Sequence, residues 1–330
     1  ADGSTEPLSF VEPIAKKDSR IKYKVLKENK GISGNTDEAL KMVTGDYVAL
    51  LDHDDLIPFN SLYEIVKAIN ENSDAEYLFT DEDKFVDINK KTRYEPNFKP
   101  DYSFDTFTSY NYICHFSIFK KELMDKLGGF NEQFDGSQDY DLFLRVVEST
   151  KEIYHIEKVL YHWRQTATST AGYLGNKSYA YLAGKRALED SLKRRKIKGE
   201  VIDNPRVSTY LVKYETKRPL VSVIIPMRDQ AKVSRRCFES LYEKNTYSNF
   251  EVIVIDNGSE EEETKNLFKE YKKHKNFKVI RDSKEFNYSA LNNEGVKIAK
   301  GEYLLFLNND TEIIQEDTLE WLVGYASQEH

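Results

Sequence analysis

Apolar residues fall into short continuous runs separated by stretches at helical spacing, the pattern of strands covered on both faces alternating with amphipathic helices. Tyr47 to Leu51 is such a run, and it ends abruptly in Asp52-His53-Asp54-Asp55. Before it, Ala39, Leu40 and Val43 mark a short helix over 36–43 that Gly45 is placed to stop. After it, Leu62, Ile65, Val66 and Ile69 mark a helix over 58–70. The order is helix, strand, acidic loop, helix. Later runs at 220–225, 250–255 and 303–307 predict strands, with helices around 237–242 and 267–271. Alternation of this kind predicts an α/β fold with a mostly parallel sheet.

The pattern also repeats. Thr44-Gly45-Asp46-Tyr47-Val48-Ala49-Leu50-Leu51-Asp52-His53-Asp54 is echoed by Lys300-Gly301-Glu302-Tyr303-Leu304-Leu305-Phe306-Leu307-Asn308-Asn309-Asp310. Ala1-Asp2-Gly3-Ser4 is echoed by Asp256-Asn257-Gly258-Ser259 at a spacing that agrees to within one residue. Two incomplete copies of one fold are therefore expected. The division is 1–178 for a copy lacking its first strands, 179–218 for a helical connector, and 219–330 for the N-terminal half of a second copy. The chain reads as a window from a longer tandem protein.

Composition narrows the classes. A chain of 330 residues holds about two domains at roughly 150 residues each. The net charge of −8 argues against nucleic acid as a partner. With 13% aromatic residues the chain has ample core material and is expected to fold. Two cysteines, Cys114 and Cys237, are too few for a disulfide scaffold and have no metal-ligand spacing. No apolar stretch is long enough to span a bilayer, and residues 1–20 lack the apolar centre of a signal peptide. A cytoplasmic protein is expected, or one at the inner face of the plasma membrane. The cluster Lys193-Arg194-Arg195-Lys196 with Lys198 is either a peripheral membrane contact or, as charge runs more often are, a solvated helix end.

Three stretches are candidates for chemistry. Asp52 and Asp54 leave a buried strand at its carboxyl end, where open α/β sheets bind ligands. They either hold a hard cation, Mn²⁺ or Mg²⁺, against diphosphate oxygens, or serve as loop acids favouring the next helix's N-terminus. The segment Gly128-Gly129-Phe130 to Gln138-Asp139-Tyr140-Asp141-Leu142 is a glycine-rich loop entering an amphipathic helix. Asp139 there is either a general base or an ordinary first-turn acid behind a Ser137 cap. Asp81 and Asp83 either contact ligand or sit in an exposed acidic turn. Tyr102, Phe104, Phe107, Tyr110, Tyr112 and Phe116 are expected to be core more than sugar contacts.

Taken together these stretches resemble the family 2 glycosyltransferases of the GT-A fold, in a tandem form found among bacterial surface-polysaccharide synthesis proteins. The likeness rests on Asp2-Gly3-Ser4, Asn29-Lys30-Gly31-Ile32-Ser33, Asp52-His53-Asp54-Asp55, Thr80-Asp81-Glu82-Asp83, Gly128-Gly129-Phe130, Gln138-Asp139-Tyr140-Asp141-Leu142 with Arg145, and Tyr161-His162-Trp163-Arg164. In the second copy it rests on residues 221–226, Asp256-Asn257-Gly258-Ser259 and Asn308-Asn309-Asp310. The resemblance implies metal-dependent, inverting transfer of a sugar from a nucleotide-diphosphate donor to a glycan or lipid-linked acceptor. It implies Asp54 as the metal contact with Asp52 assisting, Asp2 and Arg164 as donor contacts, and Asp139 as the base. Gln138 stands where the family often has Glu, and Gln138, Asp81, Asp83 and His162 are candidate donor or acceptor contacts. In the second copy Asp256 and Asp310 correspond to Asp2 and Asp54, but Asn308 is neutral where Asp52 is charged. The rival expectation is a non-catalytic nucleotide-sugar or glycan-binding module.

Overall fold

The computed structural model describes residues 10–86, 92–165, 178–204 and 209–328. The chain divides into two compact units, residues 1–212 and 213–330. The stretch 179–212, read from the sequence as connector, therefore groups with the first unit. Among the described residues no helix is long and apolar enough to cross a membrane.

In the first unit α1 (Val11–Lys17) and α2 (Gly31–Leu40) precede β1 (Tyr47–Ala49), α3 (Ser61–Glu71) and β2 (Tyr77–Phe85). Then come β3 (Tyr94–Asn97), α4 (Phe104–Ser109), β4 (Ser117–Lys120), α5 (Lys121–Leu127), α6 (Gln138–Ser149), β5 (Ile153–Arg164) and α7 (Ser178–Arg194). β6 (Gly199–Asn204) and β7 (Thr209–Tyr214) pair as a separate ribbon.

The main sheet runs β1-β4-β2-β3, with β5 on β2. β4 is antiparallel to both β1 and β2, and β3 is antiparallel to β2, so this sheet is mixed where a mostly parallel one was expected. Strand direction is set by which strands pair, a non-local choice that a hydrophobic run does not encode. The arrangement still leaves β1, β2 and β5 parallel to one another. Their carboxyl ends therefore share one edge.

Period-2 alternation builds the core on both faces. Leu78 and Ile118 pack with Ile65 of α3, while Tyr77 stacks on Phe119 at 4.8 Å and lies 6.0 Å from Phe143 of α6. Phe104, Phe107, Tyr112 and Phe116 are buried, so most of the aromatic cluster is core; Tyr110 is exposed. In the basic cluster, Lys193 pairs with Asp190, Arg194 with Glu148, and Arg195 lies over Phe104. These contacts describe a helix end folded onto its own unit.

The second unit contains β8 (Val221–Met227), α8 (Ala231–Glu239), β9 (Phe250–Asp256), α9 (Glu262–Tyr271), β10 (Phe277–Arg281), α10 (Tyr288–Ile298), β11 (Tyr303–Phe306) and α11 (Thr318–Ala326). Its sheet is wholly parallel in the order β10-β9-β8-β11. Strands are added outward from β8 to β9 and β10 and then on its other side as β11, so the strand order switches between β8 and β11, the crevice where open α/β sheets take ligands. Val223, Ile225, Val252 and Val254 face α8, α9 and α11, while Ile224, Ile253 and Ile255 face α10. Every residue of β8 and β9 is buried, which explains their largely apolar runs; the buried Ser222 and Glu251 within them are hydrogen-bonded to each other.

Candidate active site

The acidic loop after β1 is tied to the end of β5. Leu56 and His162 exchange backbone hydrogen bonds at 3.1 and 2.8 Å. Asp55, nearly buried, accepts from the Tyr161 hydroxyl at 2.5 Å and from the Arg164 backbone N–H at 2.7 Å. Arg164 Nε donates to the Asp54 carbonyl at 2.5 Å, and its guanidinium lies 4.6 Å from the Phe85 ring centre. Asp55 thus anchors the loop and frees Asp52 and Asp54 from that task. Asp52 N–H donates to the Tyr161 oxygen at 3.3 Å.

Burial holds the Asp52 carboxyl above the ordinary carboxylate range; His115 opposes this, and Asp55, Asp54 and Asp139 add to it. Three other acids therefore bear on Asp52 at this edge. A carboxylate crowded by like charges is stabilised by a cation.

The second side of the site is the start of α6. Asp139 Oδ2 accepts from Asn111 Nδ2 at 2.9 Å and from the Cys114 thiol at 3.4 Å. Cys114 lies 3.4 Å from His115 Nε2, and the His115 ring stacks on Tyr161 at 4.8 Å. A continuous chain of contacts thus joins Asp139 through Cys114, His115 and Tyr161 to the Asp52–Asp55 loop. Tyr140, next to Asp139, donates to the Phe107 carbonyl at 2.6 Å and fixes the helix against the end of α4.

Asp141, two residues on, is buried and bound to Arg145 at 2.7 Å. Arg145 also donates to the carbonyls of Leu127 and Gly129, holding the turn at Gly128 and Gly129, whose φ values of +76° and +78° suit glycine. Ser137 does not cap α6, because its hydroxyl donates to the Ala180 carbonyl. Gln138 accepts from the Gly136 N–H. The two first-turn acids thus have different surroundings: Asp141 is locked in an ion pair, and Asp139 is half-buried at the rim.

Asp81, Glu82 and Asp83 belong to β2 and are buried, so the exposed acidic turn is corrected. Asp81 accepts from the Lys99 N–H at 2.9 Å and pairs with His155 at 2.9 Å. Asp83 pairs with His162 at 2.5 Å. Glu82 pairs with the fully buried Lys99 ammonium at 3.1 Å. Lys99 also donates to the carbonyls of Thr80, Ile113 and His115. These acids hold the sheet together and fix the Ile113–His115 segment beside Asp139.

Asp2 lies outside the described residues. In the second unit Asp256 is buried at the end of β9, accepting from the Ser259 N–H at 2.8 Å and pairing with Arg281 at 2.9 Å. Backbone N–H groups of Glu261 and Glu260 hold Asp229 below the ordinary carboxylate range. Asp310 is exposed after β11, and Asn308 accepts from the Tyr288 hydroxyl at 3.4 Å. Among the described residues no group of three or more His, Cys, Asp or Glu side chains forms a ready metal cage.

Asn111, Cys114 and His115 were not singled out from the sequence as site residues. They carry no periodic or motif signal there, since folding alone brings them to α6.

Two α/β units with acids at the carboxyl ends of parallel strands define the class of protein. The family profile described as Glycosyl transferase family 2 matches residues 1–128 and 222–330, and the chain belongs to that family. It is 39% identical, over 99% of its own length and 36% of the relative's, to the uncharacterised protein y4gI of Sinorhizobium fredii. It is 34% identical over 99% of the chain to the O-antigen biosynthesis protein RfbC of Myxococcus xanthus, covering 26% of that protein. The chain thus spans roughly a third or less of these relatives. Among solved structures, S. aureus TarS residues 1–349 aligns over 58% of the chain and 54% of that structure, at 17% identity and a TM-score of 0.44.

Proposed function

We propose that the first unit carries the catalytic half of a metal-dependent, inverting glycosyltransferase. It moves a sugar from a nucleotide-diphosphate donor to a glycan or lipid-linked acceptor in bacterial surface-polysaccharide synthesis. The chain's 34% identity to an O-antigen biosynthesis protein supports that setting. The observation that carries the chemistry is the run of contacts from Asp139 through Cys114, His115 and Tyr161 to the Asp52 loop, with hydrogen bonds from the described residues reaching only Oδ2 of Asp139.

Asp54 and Asp52 offer hard oxygen donors in a crowded acidic edge, which fits a cation bound by one or two carboxylates plus substrate phosphate. When bound there, Mn²⁺ or Mg²⁺ supplies neutralising charge to the departing diphosphate. Asp55, Tyr161 and Arg164 keep the loop in place. Asp139 takes the acceptor proton as the acceptor oxygen bonds to the anomeric carbon. The bond to the diphosphate breaks with its electron pair on the leaving oxygen. One displacement inverts the anomeric centre, and no covalent sugar–enzyme bond forms. In the second unit Asp256 and Asp310 serve nucleotide and cation binding.

The test is incubation with UDP- and GDP-sugars plus Mn²⁺ or Mg²⁺, following released nucleotide and product anomeric configuration. Asp139→Asn is expected to keep donor affinity and to lower turnover about a hundredfold or more. A binding module would take up donor equally in both proteins and release no nucleotide from either.

A further inference from the structure

The carboxylate of Asp139 is held from one side. Asn111 Nδ2 and the Cys114 thiol both reach Oδ2, and among the described residues no donor reaches Oδ1. Both donors come from the segment between α4 and β4 rather than from α6. That segment is itself fixed: Tyr112 donates to the Asp101 carbonyl and accepts from the Ser103 N–H, and Lys99 binds the carbonyls of Ile113 and His115. Among the described residues the Asn111 side-chain oxygen Oδ1 is buried with no partner. A lone buried acceptor costs about 1–3 kcal/mol, so the amide is turned toward Asp139 at the expense of its own satisfaction. Such an exception points to a task other than stability.

We propose that Asn111 and Cys114 are positioning residues for Asp139, gripping Oδ2 so that Oδ1 is the oxygen presented to the acceptor hydroxyl. This rests on the reading of Asp139 as the base. Two donors on one oxygen fix the plane of the carboxylate, which otherwise rotates about a soft terminal torsion. Cys114 suits the position because burial, and then the Asp139 charge, push its thiol well up. It remains a neutral S–H donor at neutral pH.

Two readouts test the proposal on the full chain. The first is the rate at which iodoacetamide alkylates Cys114, followed by mass spectrometry with buried Cys237 as the internal reference. If the thiol donates to Asp139, then Asp139→Asn removes the adjacent charge and the rate rises at least about fivefold. An unchanged rate overturns the pairing, whether or not the chain turns over a given donor.

The second readout is steady-state release of nucleotide from UDP-glucose and GDP-mannose with Mn²⁺. Asn111→Ala and Cys114→Ala are expected to lower kcat about tenfold, with donor KM within about twofold. Cys114→Ser, which keeps a donor, recovers most of kcat, a rescue that mere packing would not produce. A raised KM with unchanged kcat overturns the proposal. Loss of turnover in Asp139→Asn together with wild-type kcat in both alanine variants overturns the positioning role alone. Full turnover in Asp139→Asn overturns the base assignment beneath it. Melting temperatures of the variants separate misfolding from lost positioning, and Cys114→Ser repeats the comparison with nearly unchanged volume.

Discussion

The residues that organise this site differ most in how their charge is compensated. Lys99 is fully buried and meets Glu82 and three carbonyls, and burial lowers its pKa while Glu82 opposes. Removing it strands Glu82, so Lys99→Ala is expected to cost about 3–5 kcal/mol in urea unfolding. Combining it with Glu82→Gln should recover part of that loss. Asp52 behaves in the opposite sense. Its folded carboxyl is held above the ordinary range, so the folded state binds more protons than the unfolded one over that window. Stability then falls as pH rises through it. Asp52→Asn removes the fall: the variant should melt higher than the wild type at neutral pH and no higher in acid, as read by thermal scans without added cation. Asp52, Asp54 and Asp139 were legible in the sequence because each stands where an apolar pattern begins or ends. Asn111 and Cys114 were not, because their partner lies 28 and 25 residues away and only the packed α4–α6 corner joins them.

At the level of elements, the runs of β8 and β9 could be read directly, since burial on both faces makes them mostly apolar, with Ser222 and Glu251 as single interruptions. β2 could not, because Tyr77–Phe85 carries Asp81, Glu82 and Asp83 in succession. A strand with three buried acids is stable only with Lys99, His155 and His162 opposite, and those partners come from other segments. Helices α3 and α11 show a second effect hidden from periodicity. Each follows an acidic loop, yet α11 buries Leu319 and Val323 against the β8–β9 core and exposes Leu322, while α3 buries Ile65 and leaves Leu62, Tyr63 and Val66 exposed. Leu319→Ala is therefore expected to cost about 2–5 kcal/mol. Leu62→Ala should change stability by no more than about 0.5 kcal/mol. Hydrogen exchange resolved to the two helices checks the contrast: if both substitutions loosen their helices equally, burial does not govern them.

Across the whole molecule, the repeated acidic loop appears once with two spaced carboxylates and once with one. Asp52 and Asp54 follow β1 in the first unit, whereas neutral Asn308 precedes exposed Asp310 in the second. A cation held by carboxylate oxygens and diphosphate depends on the summed charge at the strand ends, and an amide oxygen contributes only a dipole. Nucleotide binding should therefore depend on the cation more steeply in the first unit than in the second. Titrating UDP and GDP into the chain with Mn²⁺, and again with a chelator, measures the difference. Asp54→Ala is expected to remove at least about tenfold of the Mn²⁺-dependent affinity, by analogy with the loss seen when even outer partners of a metal site are removed. Asp310→Ala should remove less, because its loop began with half the charge. Donor affinity that is the same with Mn²⁺ and with chelator, in the wild type and both variants, would remove the cation from the account. Asp139 would then still take the acceptor proton, but the diphosphate would depart without a cation to neutralise it.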